Sequence, residues 1–231
     1  MLIIFPFRSQ SNKNREGQLN TVWDAIAQKY PHAQRCVVQQ SSGMPFNRGL
    51  LLDIGFQVCC SDTNSWVVFH DVDLLPDSQL LESYERPAEP DECIVHIGRK
   101  FERYSSTTYF GGIHAMKADT FMRLNGFPCC FWGWGGEDDE FLRRCKKYKI
   151  RIEDTFNGSL TDLENLDLPS KLAQLSDTES KCKNKRELLQ KYKNYPELDQ
   201  EDGLAQLWLH KIRVTVERTS ARTIQVYVNT K

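Results

Sequence analysis

The feature that most constrains this chain is Trp66-Val67-Val68-Phe69, which runs without a polar break into His70-Asp71-Val72-Asp73. A strand with one wet face alternates apolar and polar residues, whereas a strand apolar at every position must be covered on both faces. The run therefore predicts a central strand of an α/β sheet between helical layers, ending in two carboxylates. Acids at i and i+2 of an extended segment point the same way. At the carboxyl end of a strand they face the crevice where such sheets bind ligands. Hard oxygen donors of this kind suit Mg²⁺ or Mn²⁺ on a diphosphate; a bare Asp-x-Asp is also what a solvated acidic loop looks like.

The remaining pattern alternates strand-like and helix-like stretches, and 231 residues suffice for one domain over 1–231. Residues 2–5 read as a buried strand stopped by Pro6, and Leu19, Val22, Trp23, Ile26 and Ala27 recur at helical spacing. Residues 36–38 read as a strand, 48–56 as a helix capped near Gly55, and 93–97 as another strand. Residues 77–90 suggest surface loop and short helix. Residues 109–116 pass through Gly111-Gly112 as a strand or tight turn; Asp119 is a plausible N-cap for 120–124, and 137–148 read as a helix. The charged stretch 160–197 predicts loop plus an exposed helix around 185–192. Ile212, Val214, Val216 and then Ile224, Val226, Val228 predict a C-terminal antiparallel hairpin turning near Thr219-Ser220.

Composition removes several function classes. Thirty basic against 31 acidic residues leave a net charge of -1, which argues against a broad nucleic-acid surface. The apolar start is broken by Pro6 and followed by Arg8, too short for a signal segment or a membrane span. A cytoplasmic location is therefore expected. Eight cysteines without Cys-x-x-Cys spacing argue against a zinc site and are expected to be reduced.

A second constellation is Phe131-Trp132-Gly133-Trp134-Gly135-Gly136 followed by Glu137-Asp138-Asp139-Glu140. An acidic first helical turn complements the helix dipole, which accounts for one or two acids but not for four behind a Trp-Gly prelude. Aromatic faces beside carboxylates suit sugars, whose C–H faces stack while their hydroxyls donate to acids.

Five motifs in order make the pattern specific: Phe46-Asn47-Arg48-Gly49, Asp71-Val72-Asp73-Leu74-Leu75-Pro76, Tyr109-Phe110-Gly111-Gly112, Asn125-Gly126-Phe127, and Trp132 through Asp139. With Pro6-Phe7-Arg8 at the start and Asp202-Gly203-Leu204 near the end, the chain resembles the β-1,4-galactosyltransferase family, glycosyltransferase family 7. The wording around His70-Asp71-Val72-Asp73 is most similar to the xylosylprotein 4-β-galactosyltransferase branch. The resemblance implies a GT-A fold, Rossmann-like with a mixed central sheet and the C-terminal hairpin. It also implies an inverting, metal-dependent galactose transfer from UDP-galactose to a sugar hydroxyl.

Position by position, the resemblance implies that Arg8 and Arg48 hold the nucleotide with Phe46 beside the uracil. Asp71 would contact the nucleotide-sugar, Asp73 would ligate the metal, and Trp134 would close over the donor. Asp138 would be the general base, with Glu137 and Asp139 on the acceptor. Tyr109, before Gly112, would favour galactose over N-acetylgalactosamine, and Arg99 or Lys100 lies near a family phosphate-binding lysine. The family completes its metal site with histidine, yet no histidine lies between His114 and His210. Asp167 or Glu164 is the expected substitute, holding Mn²⁺ or Mg²⁺. His32, His96, His114 and His210 read as structural, and Asn157-Gly158-Ser159 as a glycosylation sequon that matters only in a lumen.

The expected partners are a UDP-sugar and a glycan acceptor, for a monomer with no nucleic acid and no membrane segment in this chain. Animal members of the family work in the Golgi lumen behind an anchor, the alternative location if a leader precedes this sequence. Two other functions remain open at this point: transfer from another UDP-hexose or UDP-N-acetylhexosamine, and a degenerate non-catalytic sugar- or nucleotide-binding relative.

Overall fold

The computed structural model describes residues 1–9, 14–41, 43–85, 93–104, 108–154, 157–177, 181–210, 213–218 and 223–229. Ten strands are found among them: β1 (Leu2–Phe7), β2 (Gln34–Gln40), β3 (Trp66–His70), β4 (Leu74–Pro76), β5 (Cys93–His96), β6 (Ile113–Lys117), β7 (Arg151–Asp154), β8 (Leu160–Asp162), β9 (Arg213–Arg218) and β10 (Thr223–Asn229). Seven α-helices accompany them: α1 (Arg15–Lys29), α2 (Arg48–Cys59), α3 (Ser78–Leu81), α4 (Ala118–Arg123), α5 (Glu137–Lys147), α6 (Leu168–Asp177) and α7 (Lys185–Asn194). Eight strands form one mixed sheet in the order β7-β5-β6-β3-β1-β2-β10-β9, and β4 pairs with β8 apart from it.

The unbroken apolar run is explained by two cores. Val67 and Phe69 of β3 join Leu2 and Ile4 of β1 in one cluster, beneath α2, α4 and α5. Trp66 and Val68 join Ile3, Phe5 and Phe7 in the other, beneath α1 and α3. Successive side chains of a strand go to opposite faces, so a strand that serves two cores has no polar position to spare.

Two local stop signals are overridden. Pro6 lies inside β1, because β3 pairs with β1 only from Leu2 to Ile4 and no ladder partner on that side needs the missing N–H. Gly55 lies inside α2 and ends nothing; a Cβ there would meet side-chain carbons of Ile4 and Val38 at 2.6 Å, so glycine lets the helix lie close on the sheet. Asp119 sits in the first turn of α4 rather than at its cap, which is Lys117.

The C-terminal hairpin is antiparallel as read, and β10 also pairs in parallel with β2, so it widens the main sheet. Its turn at Thr219-Ser220, with Ile212, lies outside the described residues. Strands β7 and β8 and helix α6 have no counterpart in the sequence reading. None of the eight cysteines forms a disulfide, and the Cys59 thiol donates to Cys36 Sγ at 2.9 Å. Among the described residues no helix is long and apolar enough to cross a membrane.

Three histidines are buried in or beside these cores: His70, His96 and His114. Burial pushes His70 and His96 down to about 4 and holds His114 well below the usual range. All three are thus neutral when folded, while the unfolded chain takes up protons below about pH 6.5. Stability is full above that pH and is lost as the pH falls from about 6.5 towards 4. A melting-temperature series across this window should show the decline, and His114→Phe, set among Phe110, Phe127 and Phe141, should make it shallower.

Candidate active site

The carboxyl ends of β1 and β3 open onto a cleft of about 560 Å³, and the sequence explains what points into it. Asn47 caps α2, its side chain accepting from Leu50 N at 3.0 Å, which sets Arg48 at the first helical position beside the end of β3. Arg48 Nε donates to Asp71 at 2.6 Å, Nη1 to Asp138 at 2.8 Å and Nη2 to the Gly112 carbonyl at 3.1 Å. One guanidinium thus joins the end of β3, the start of α5 and the turn into β6. Arg48, expected to hold the nucleotide, is here engaged with two acids.

Helix α5 starts at Gly136, whose φ of 111° lies in the left-handed region and whose hydrogen faces the Phe131 ring. The four acids that follow divide by helical geometry. Glu140 turns inward and is wholly buried, bonded to Arg143 at 2.7 and 2.8 Å and to Arg144 at 3.3 Å. Asp139 turns out to Lys185, 2.7 Å away. Asp138 lies over Arg48, and Glu137 is buried with its Oε2 facing no hydrogen-bond partner among the described residues. Burial in the cleft raises Asp138 well above the usual carboxylate range; Glu137, Asp71 and Asp139 add to the rise and Arg48 opposes it. Burial raises Asp71 and Glu137 in the same way.

Arg8 donates to the Met44 carbonyl at 2.9 Å and lies 5.5 Å from the centre of the Phe46 ring, leaving an aromatic and cationic slot beyond β1. Tyr109 and Asp138 both crowd Gly111, where a Cβ would come within 2.8 Å of each. Trp134 is exposed, its ring 6.4 Å from that of Tyr104, while its backbone is held: Gly133 N donates to Phe46 O at 2.8 Å and Cys182 N to Trp134 O at 3.2 Å.

Of the expected site residues, Arg8, Phe46, Arg48, Asp71, Asp73, Tyr109, Gly112, Trp134, Glu137, Asp138 and Asp139 line this cleft, whereas Asp167 and Glu164 are not among its lining. Asp167 is exposed and caps α6, its Oδ1 accepting from Ser170 N at 2.8 Å, so its carboxylate serves the helix start. Arg99 and Lys100 line a separate small pocket with Gly158 and Ser159. Sequence reasoning missed Arg15, Arg103 and Lys171, which do line the cleft. Arg15 had a signal, since the first turn of a helix that follows a β-strand is where α/β folds take up phosphate. Arg103 and Lys171 had none.

These three cations meet at Glu164. Arg15 Nη2 donates to it at 2.5 Å, Arg103 Nη1 at 2.8 Å and Lys171 Nζ at 2.6 and 2.7 Å. Arg15 Nη1 also donates to Asp73 at 2.9 Å. Burial raises the Glu164 carboxyl, but Arg15 and Lys171 outweigh it and hold it at about 2. The two acids that would bridge a divalent ion here already share a guanidinium. The residues as they stand do not fit such an ion, which would have to displace Arg15.

A mixed sheet with helices on both faces, a strand ending in Asp-x-Asp, and an aromatic and acidic loop at the cleft make up a GT-A fold. A model of the N-terminal region of glycosyl transferase group 7 matches residues 1–84, and one described as the N-terminal domain of galactosyltransferase matches 94–165. The chain belongs to the β-1,4-galactosyltransferase family, glycosyltransferase family 7. It is 32% identical over 150 residues to human beta-1,4-galactosyltransferase 4, covering 61% of this chain and 42% of that protein. To human beta-1,4-galactosyltransferase 5 it is 38% identical over 114 residues, covering 47% and 28%. The chain thus spans less than half the length of these curated relatives.

In fold it matches the catalytic domain of Drosophila beta-1,4-galactosyltransferase 7 in complex with xylobiose, with a TM-score of 0.70 at 21% identity over 100% of this chain and 94% of that one. A mutant of the same enzyme, in complex with manganese, UDP-Gal and xylobiose, matches with a TM-score of 0.69 at 21% identity over 100% and 93%.

The start of α5 depends on Arg144, which is wholly buried and donates to the carbonyls of Gly126 at 2.9 Å and Asp202 at 2.7 Å as well as to Glu140. Arg144→Met leaves the Glu140 side chain with Arg143 alone and takes the Arg144 donors from the carbonyls of Leu124, Asn125, Gly126 and Asp202. The expected loss is about 3 kcal/mol or more, read by calorimetry as a melting temperature lower by roughly 6–12 °C.

Proposed function

We propose that this chain transfers galactose from UDP-galactose to a hydroxyl of a sugar acceptor, with inversion, giving a β-1,4 linkage. The observation that carries the proposal is the pair of acids at the head of α5: Asp138 on Arg48 and, next to it, the buried Glu137 Oε2 with no partner among the described residues. A buried carboxylate oxygen without a donor is costly unless a ligand hydroxyl meets it. A neighbouring acid with its affinity for protons raised by burial suits a general base. The family membership, the names of the relatives and the UDP-Gal and xylobiose held by the structural neighbour support the same reading.

In this reading the uracil lies in the Arg8–Phe46 slot and the acceptor sugar between Trp134 and Glu137, with Asp139 at the rim. Asp138 takes the acceptor proton as that oxygen attacks C1. The bond from C1 to the diphosphate breaks, and its electron pair leaves with UDP. Arg48 positions Asp71 towards the donor and Asp138 towards the acceptor. Tyr109, close against Gly111 and Gly112, limits the room beside the donor sugar and favours galactose. Trp134 covers the donor and keeps water from competing. The divalent ion expected from the family, Mn²⁺ above all, would have to bind at Asp73 and Glu164 in place of Arg15, so no step is assigned to it. The neighbour's xylobiose makes a xyloside the first acceptor to test.

Asp138→Asn should reduce transfer about a thousandfold, measured with UDP-[³H]galactose and a xyloside, while UDP affinity by calorimetry changes little. Near-native turnover would exclude Asp138 as the base. In the unaltered protein the rate should fall as the pH drops through the raised Asp138 value. Because Arg48 is the cation opposing that rise, Arg48→Gln should move this acid limb to higher pH. An unmoved limb would separate the observed ionisation from Asp138.

A further inference from the structure

Three cations of the cleft lining, Arg15, Arg103 and Lys171, are left without a task by the reading above. Arg15, Arg103 and Lys171 come from three distant segments and line the cleft around one carboxylate, Glu164, whose side chain is 4% exposed. Their own side chains are 15%, 3% and 7% exposed. Arg103 donates from all three of its nitrogens, to the Leu166 carbonyl, Glu164 and Asp162, and lies 4.9 Å over the Phe101 ring. Arg15 donates from Nη1 to Gln18 and Asp73 and from Nη2 to Glu164, and Lys171 Nζ donates to both Glu164 oxygens; among the described residues Arg15 Nε and the third Lys171 N–H have no protein acceptor. Arg15 reaches Asp73 at the end of the same Asp-x-Asp segment whose Asp71 is held for the donor.

A leaving diphosphate needs positive charge beside the oxygen that departs, and fixed guanidinium and ammonium groups supply it as a metal does. An added divalent ion at Asp73 and Glu164 would expel Arg15 and crowd its charge against Arg103 and Lys171. Resting on the galactosyl-transfer reading, we propose that Arg15 and Lys171, pinned by Glu164, bind and neutralise the donor diphosphate in place of a divalent ion. UDP binding and sugar transfer by this chain then proceed without metal. The atom balance is unchanged: the C1–oxygen electron pair stays on the β-phosphate of UDP, the acceptor proton stays on Asp138, and the cations donate hydrogen bonds without giving up a proton.

The test is calorimetric titration of the full chain with UDP, in EDTA and again with excess Mn²⁺, alongside transfer from UDP-galactose under both conditions. The expected result is UDP affinity and turnover in EDTA within about twofold of the Mn²⁺ values. Lys171→Met and Arg15→Met should each weaken UDP about tenfold in EDTA, the worth of one charge-assisted contact, while Lys171→Arg retains most of the affinity. Melting curves of the variants show that they fold. UDP binding that vanishes in EDTA and returns with Mn²⁺ overturns the metal-free assignment and leaves the transferase reading standing. Unchanged UDP affinity in folded Lys171→Met and Arg15→Met also overturns it. Absence of UDP binding under both conditions overturns the proposal and the transferase reading together.

Discussion

The architecture of the site hangs on one guanidinium. Asp71 arrives on a strand and Asp138 on a helix that starts far along the chain, and two carboxylates that close would repel each other. Arg48 sits between them and turns the repulsion into two ion pairs, with the Gly112 carbonyl as a third contact. Three features lead to Arg48 being there. Asn47 starts the helix at that point. Gly55 lets the helix settle onto β1 and β2. Gly49 admits the Pro128 carbonyl, which a Cβ would meet at 2.5 Å, so that the loop leading to α5 closes over the helix. A packing constraint in the core thereby sets the spacing of two acids in the cleft.

How much of this was legible depends on the range over which the signal acts. The β3 run could be read because burial on both faces leaves a mark in consecutive residues. Trp132 through Asp139 could be read because glycine, tryptophan and acid together fit no ordinary core element. Pro6 and Gly55 were misread as stops for a shared reason: local rules assume a generic neighbourhood, and here the neighbour strand has already ended or the sheet is unusually near. Strands β7 and β8 are short, half-exposed and charged, so they carry neither alternation nor a continuous apolar run. Asp167 was taken for a ligand because an acid in a loop and an acid capping a helix look alike until the helix is known.

The cluster of cations was invisible for a deeper reason. Isolated basic residues in polar stretches are ordinarily solvated, and no spacing links Arg15, Arg103 and Lys171. What unites them is Glu164, and a carboxylate buried among three cations shows itself only in three dimensions. The same holds for the acids of α5, where one run of four splits into a structural member, Glu140, and three that face the cleft.

The cleft consequently draws most of its acids and its cations from different elements. Helix α5 supplies Glu137, Asp138 and Asp139, α1 and α6 supply Arg15 and Lys171, and Arg48 links Asp71 to Asp138. In the galactosyl-transfer reading a neutral sugar acceptor meets hydroxyl-accepting acids, an anionic diphosphate meets donors, and the bond to be broken lies between them. On that reading, a ligand placed the other way round would set phosphate against the α5 carboxylates and leave Glu137 unsatisfied, which favours one direction of entry for the nucleotide-sugar.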